Sequence, residues 1–241
     1  VEELKIIKEN WFTRKPREYL LSPTVTLTAL LFAASLALFR DVFHAQSWMV
    51  ATPQEVFVKH EYWRAWTTLF AHADISHLLS NALLYIPLVY LLTAYFGLGL
   101  FPWLGFFIGG LTNLIVLKTL PPEASLLGVS GVVYWMGAVW FTLFLLIDRR
   151  KNLKTRFSNV IFLLFMVFIP ETYQPQISYL SHFLGFVFGV VSALAYYGMY
   201  RQDFLRAEVV ETIREDDEMD DSNWTEDPFD DGLPPAGGFF H

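Results

Sequence analysis

The sequence predicts an all-α, polytopic membrane protein built as a bundle of six transmembrane helices. Three observations carry that expectation. Between Leu78 and Leu117 there is no Asp, Glu, Lys or Arg, and an uncharged apolar run of about 20 residues is long enough to cross a bilayer core. Charged residues make up 17% of the chain, where a soluble domain carries roughly 25%. Apolar runs recur six times, at 24–39, 78–96, 103–117, 129–147, 157–170 and 179–200.

Residues 1–23 read as a cytoplasmic N-terminal segment, with Arg14, Lys15 and Arg17 just ahead of the first run. That run follows the mixed-charge stretch KENWFTRKPREYLLSP and shows no small-residue cleavage pattern, so it is expected to stay as the first span. The loop 40–77 is too long for a turn and rich in Trp48, Phe57, Tyr62, Trp63, Trp66 and Phe70. Such rings favour the membrane interface, and the loop is expected to rest among the headgroups. Several of the later runs are short for a straight span, which bundle packing or local thinning accommodates. The six-span body covers 24–200.

The chain has a net charge of −7, but 12 of its 24 acids lie between Glu208 and Asp231 with one base, Arg214. Residues 201–241 therefore read as an acidic cytoplasmic tail, disordered because little in it can be buried. Its interleaved Met219, Trp224 and Phe229 suit a segment that binds a cytoplasmic partner. Bases in short loops mark the cytoplasmic side. Arg149, Arg150, Lys151, Lys154 and Arg156 crowd the loop after the fourth run, four spans after the first basic cluster. Both termini are thus expected inside.

Without cysteine the chain has neither disulfides nor thiolate chemistry. Its histidines are few and dispersed and no H-E-x-x-H occurs, so no zinc site is expected. Nothing points to nucleic acid.

Polar groups inside apolar runs are costly and mark function by default. The second run opens with HADISHLLSNALL, which places His77 and Asn81 on one helix face. The fourth opens with LLGVSGVVYWMG, giving Gly128, Ser130, Gly131 and Tyr134, and the sixth with YLSHFLGFVFG, giving His182, Gly185 and Gly189. These three runs are traversed in the same direction, so their polar groups fall at one depth near the outer face. A serine is a weak nucleophile without an adjacent base, and His182 is the only histidine in the later spans. No acid lies inside a span, which leaves a Ser130–His182 pair. Attack on an amide builds an oxyanion that needs donors; Asn81, His77 and the free N–H groups at the head of the fourth helix supply them. Small residues at Gly137, Gly185 and Gly189 permit close helix approach, and Tyr134 is placed to stack on His182. Each feature also has an ordinary reading: a helix serine bonds back to its own turn, glycines serve packing, and a membrane histidine serves as a proton relay. His60 and His72 read as structural or interfacial.

Together the motifs resemble the rhomboid family of intramembrane serine proteases. EYWRAWTTLF is similar to the family's first-loop Trp-Arg motif, here Trp63 and Arg64. HLLSN resembles its H-x-x-x-N, here His77 and Asn81. GVSG resembles the nucleophile motif, and SHFLGFVFG the A-H-x-x-G-x-x-x-G of the sixth span, with Ser181 where alanine is common. The resemblance covers about 61–189. It implies a six-helix fold whose Ser–His dyad cleaves single-span membrane proteins within the bilayer, without cofactor; the compact body suits a bacterial inner membrane. The alternative is an inactive relative that binds membrane clients; such proteins usually lose the serine or the histidine, and both are present. A transporter or channel would line a whole path with polar groups, whereas these gather at one end.

Overall fold

The computed structural model describes residues 3–14, 16, 21–168 and 178–214. Its helices are α1 (Leu21–Phe39), α2 (Ala45–Met49), α3 (Arg64–Thr67), α4 (Ile75–Phe96), α5 (Gly105–Leu117), α6 (Ser130–Ile147), α7 (Leu153–Phe168) and α8 (Tyr179–Arg206). Among the described residues, five apolar stretches are long enough to cross a membrane: those of α1, α4, α6 and α8, and the stretch Gly99–Leu117 that contains α5. The sixth expected span is α7, 16 residues long; its expected end at 170 and the loop 171–177 lie outside the described residues. The chain is an integral, multi-pass membrane protein.

α6 sits at the centre. It is apolar on all sides, and a helix of that kind must be surrounded. Trp135, Met136, Val139 and Leu143 are essentially inaccessible. The outer helices do the reverse of what a soluble protein does, turning Leu83, Phe162 and Phe183 outward, where lipid covers them.

Local signals set the ends of α4. Asp74 caps it, its side chain accepting from the His77 N–H at 2.8 Å, and Gly97 at φ 84° ends it. The first loop is organised around Arg64, which is buried and donates to the Ser47 and Val50 carbonyls at 2.6 and 2.8 Å. Glu61 and Glu55 neutralise it, at 2.5 and 3.5 Å. A buried guanidinium is tolerable only with such partners.

The termini add two elements that hydropathy does not predict. β1 (Glu3–Glu9) pairs antiparallel with β2 (Val209–Arg214), Leu4 opposite Ile213. They are held at the end of α6 far from Ser130. The buried Asn10 amide donates to Asp148 at 2.6 Å, Arg150 grips the same carboxylate through two nitrogens, and Arg149 clasps Glu208. β1 and β2 therefore lie together at one end of the bundle. The expected disordered tail differs in its first part. α8 runs on through Arg206 and residues 209–214 form a strand, because β1 supplies the backbone partners that composition cannot reveal. Residues 215–241 lie outside the described residues.

Candidate active site

Among the described residues α6 and α8 form the most extensive helix pair, and they run parallel, Gly131 against Gly185 and Trp135 against Gly189. Glycines set their separation. A Cβ on Gly185 would fall on the Gly131 carbonyl; one on Gly189 would meet the Trp135 carbonyl at 2.5 Å and the Ala138 methyl at 2.7 Å. A Cβ on Gly131 would strike the Ser181 hydroxyl at 2.6 Å. Without a hydrophobic drive between helices in lipid, such close backbone contact is what holds a pair together. Further along, the Trp135 indole donates to Ser192 at 3.1 Å.

This register brings His182 beside the first turns of α6. The Tyr134 ring stacks on the imidazole with centroids 4.1 Å apart. His182 is 6% exposed, and both its ring nitrogens are buried without a hydrogen-bond partner among the described residues. Ser130 is the first residue of α6 and half-buried. No hydrogen bond joins its hydroxyl to His182.

Gly128 carries the chain into α6 at φ +108°, a left-handed conformation that side chains disfavour. A Cβ there would lie 2.9 Å from His77 Cε1 and 3.0 Å from Nε2. The His77 ring therefore sits directly against the loop that precedes Ser130. Asn81 is buried and donates one amide hydrogen to the His77 carbonyl at 2.9 Å, which fixes its orientation and leaves its second hydrogen. Val132 and Val133 both bond back to Val129, while the first-turn N–H groups of Ser130 and Gly131 lie where a helix leaves donors free.

The loop is tied down from below. The Gly128 N–H donates to the Thr68 carbonyl at 3.1 Å, the Thr68 hydroxyl donates to the Leu126 carbonyl, and the Leu126 N–H donates to Ala51 at 2.9 Å. The Arg64 guanidinium holds the Val50 carbonyl, one residue before Ala51. Trp63 is 53% exposed and stands away from the site.

One neighbour escapes sequence reasoning. His72 is completely buried, and its ring meets that of His77 edge-on, centroids 5.1 Å apart. The Ser35 hydroxyl donates to the Phe70 carbonyl at 3.0 Å, so its oxygen accepts from His72 Nδ1–H at 2.9 Å. That leaves His72 Nε2 as a buried lone pair without a partner among the described residues. Burial, with His77 close by, pushes the His72 imidazole down to about 4. Only its spacing, five residues before His77, hints at this in the sequence.

Among the described residues no group of three His, Cys, Asp or Glu side chains is placed to hold a metal. Comparison with curated proteins finds no match. A family model described as the Rhomboid domain matches residues 59–199, more than half of the chain, from before Arg64 to beyond Gly189. With its membrane-spanning helices and the order of its motifs along them, the chain belongs to the rhomboid family.

Proposed function

We propose that this protein is an intramembrane serine endopeptidase in which Ser130 is the nucleophile and His182 the base. The observation that carries the reading is the stack of Tyr134 on a buried, otherwise unbonded His182 at the end of α6 where Ser130 begins. An imidazole whose plane is fixed and whose two nitrogens have no hydrogen-bond partner among the described residues suits proton transfer better than a structural role, which would consume its hydrogen bonds.

The proposed reaction runs through these residues. Ser130 Oγ attacks the carbonyl carbon of the scissile peptide while its proton passes to His182. The oxyanion is met by His77 N–H, the free Asn81 amide hydrogen and the Ser130 backbone N–H, donors that lie ready before charge develops. Collapse expels the amine, which takes the proton from His182. Water then attacks the acyl carbon as His182 accepts its proton; the bond from that carbon to Ser130 Oγ breaks, Oγ takes the proton back from His182, and the carboxylic product leaves. No orienting carboxylate is needed where Tyr134 holds the ring.

The basic residues of the α6–α7 loop and of the N-terminal segment favour a topology with both termini in the cytoplasm and Ser130 toward the outer face, and the compact body suits a bacterial inner membrane. The substrates are single-span membrane proteins presenting a locally unwound segment, since only an extended peptide exposes its carbonyl to a nucleophile.

A fluorophosphonate probe tests the assignment. The wild type is expected to be labelled covalently and to cleave a reporter carrying one transmembrane segment; Ser130→Ala and His182→Ala lose both. An intact, folded wild type that is never labelled would instead identify a client-binding relative without protease activity.

A further inference from the structure

The end of the bundle opposite Ser130 holds a recess of about 510 Å³ between the N-terminal segment, the C-terminal turn of α4 and the last turns of α8. Its rings, Trp11, Tyr95, Phe96 and Tyr196, make the wall, while Arg14 and Arg206 stand at the mouth with Asp203. We infer that this recess binds the phosphodiester headgroup of an anionic glycerophospholipid from the leaflet on that side.

Length places the recess at headgroup level. α8 has 28 residues, about 42 Å of helix, against a hydrocarbon core of about 30 Å. With its first turn at the His182 end, its last two turns stand beyond the hydrocarbon. Tyr196 then lies near the boundary and Arg206 outside it, so the recess is apolar toward the acyl chains and cationic toward water. That gradient matches a phospholipid and not a soluble anion.

The hydrogen-bonding capacity left over points the same way. The Trp11 indole donates to the Tyr95 carbonyl and the Tyr196 hydroxyl to the Phe96 carbonyl, both at 3.0 Å. These bonds satisfy the carbonyls that the end of α4 leaves open and use up the polar tips of two rings. The guanidiniums are not used up. Arg14 stands over the Trp11 ring at 5.5 Å, and Arg206 has only a 3.7 Å contact with Asp203, with both of those side chains more than half exposed. Two guanidiniums and one carboxylate leave one net positive charge, the complement of a singly charged phosphodiester. Planar N–H forks bind phosphate oxygens in pairs, and basic pockets between helices at the cytoplasmic surface take anionic headgroups.

The test is thermal unfolding of the full chain in nanodiscs, and it does not depend on Ser130 chemistry. Replacing phosphatidylcholine by phosphatidylglycerol of the same acyl chains is expected to raise the Tm by about 5 °C. Arg14→Gln/Arg206→Gln removes that gain, and Arg201→Gln, on the same end of α8 but outside the recess, keeps it. Should the double variant fail to fold, native mass spectrometry of the wild type decides: retained phosphatidylglycerol is expected to exceed phosphatidylcholine about tenfold at equal mole fraction. The proposal is overturned by an undiminished gain in the double variant, by equal loss in Arg201→Gln, by the same gain from inorganic phosphate alone, or by equal retention of the two lipids.

Discussion

The Tyr134 ring lies nearly parallel to the His182 imidazole, their planes 13° apart. Two residues on different helices thereby fix one torsion at the proposed base. A stack of this kind contributes up to about 1.4 kcal/mol beyond burial, close to a tenfold change in rate. Tyr134→Phe keeps the ring and is expected to stay within about threefold of wild-type fluorophosphonate labelling; Tyr134→Ala slows it roughly tenfold. Equal labelling rates for wild type and the alanine variant would remove Tyr134 from any positioning role.

The α6–α8 contact distinguishes two glycines. At Gly185 a methyl meets backbone, which cannot yield, whereas at Gly131 it meets the Ser181 hydroxyl. Gly185→Ala is therefore expected to cost roughly 1–3 kcal/mol, read as a lowered Tm. Gly131→Ala costs less and is restored by a second change, Ser181→Ala, because the clashing oxygen is gone. A double-mutant cycle measures that coupling, and strict additivity would show that the clash is relieved some other way.

Gly128 couples backbone conformation to the His77 ring. In Gly128→Ala the positive φ is strained and the methyl pushes His77 off its position. Loss of an oxyanion donor lowers turnover by roughly a hundredfold or more. The expected kinetics are that fall in kcat with KM within about twofold, since substrate binding is untouched. A rise in KM alone would place His77 in substrate binding.

His72 gives a pH signature. Its folded-state value, depressed mainly by burial to about 4, lies below the roughly 6.5 of an unfolded chain. The unfolded state thus binds the extra proton between these values, and stability is complete above about pH 6.5 and falls as pH drops toward 4. From pH 7 to 5 the loss from this residue is on the order of 2 kcal/mol. Unfolding in micelles across that range should show a shallower slope for His72→Gln than for wild type. Identical slopes would mean that His72 is hydrated in the folded protein.

Much of this architecture is legible along the chain. The uncharged stretch from Leu78 to Leu117 identifies spans by composition alone, and parity of spans puts His77, Ser130 and His182 at one end. Helix spacing also supplies the Tyr134, Gly185 and Gly189 faces that pack in the structure. His72 was not legible, because its burial depends on Ser35, 37 residues earlier on α1. Nor was the ordering of 209–214, whose strand exists only because β1 lies beside it.

By itself the sequence determined that the chain is an integral, multi-pass membrane protein and which polar side chains enter the apolar layer. These are local quantities: a helix in lipid satisfies its own backbone, so each span is specified by its own residues. Tertiary structure decided which spans touch and how closely. The Gly131–Gly185 approach, the ring against Gly128, the Arg64 scaffold beneath the loop and the recess around Arg14 and Arg206 join residues far apart in the chain. Their separations are set by the shapes of facing surfaces, which only the packed bundle brings together.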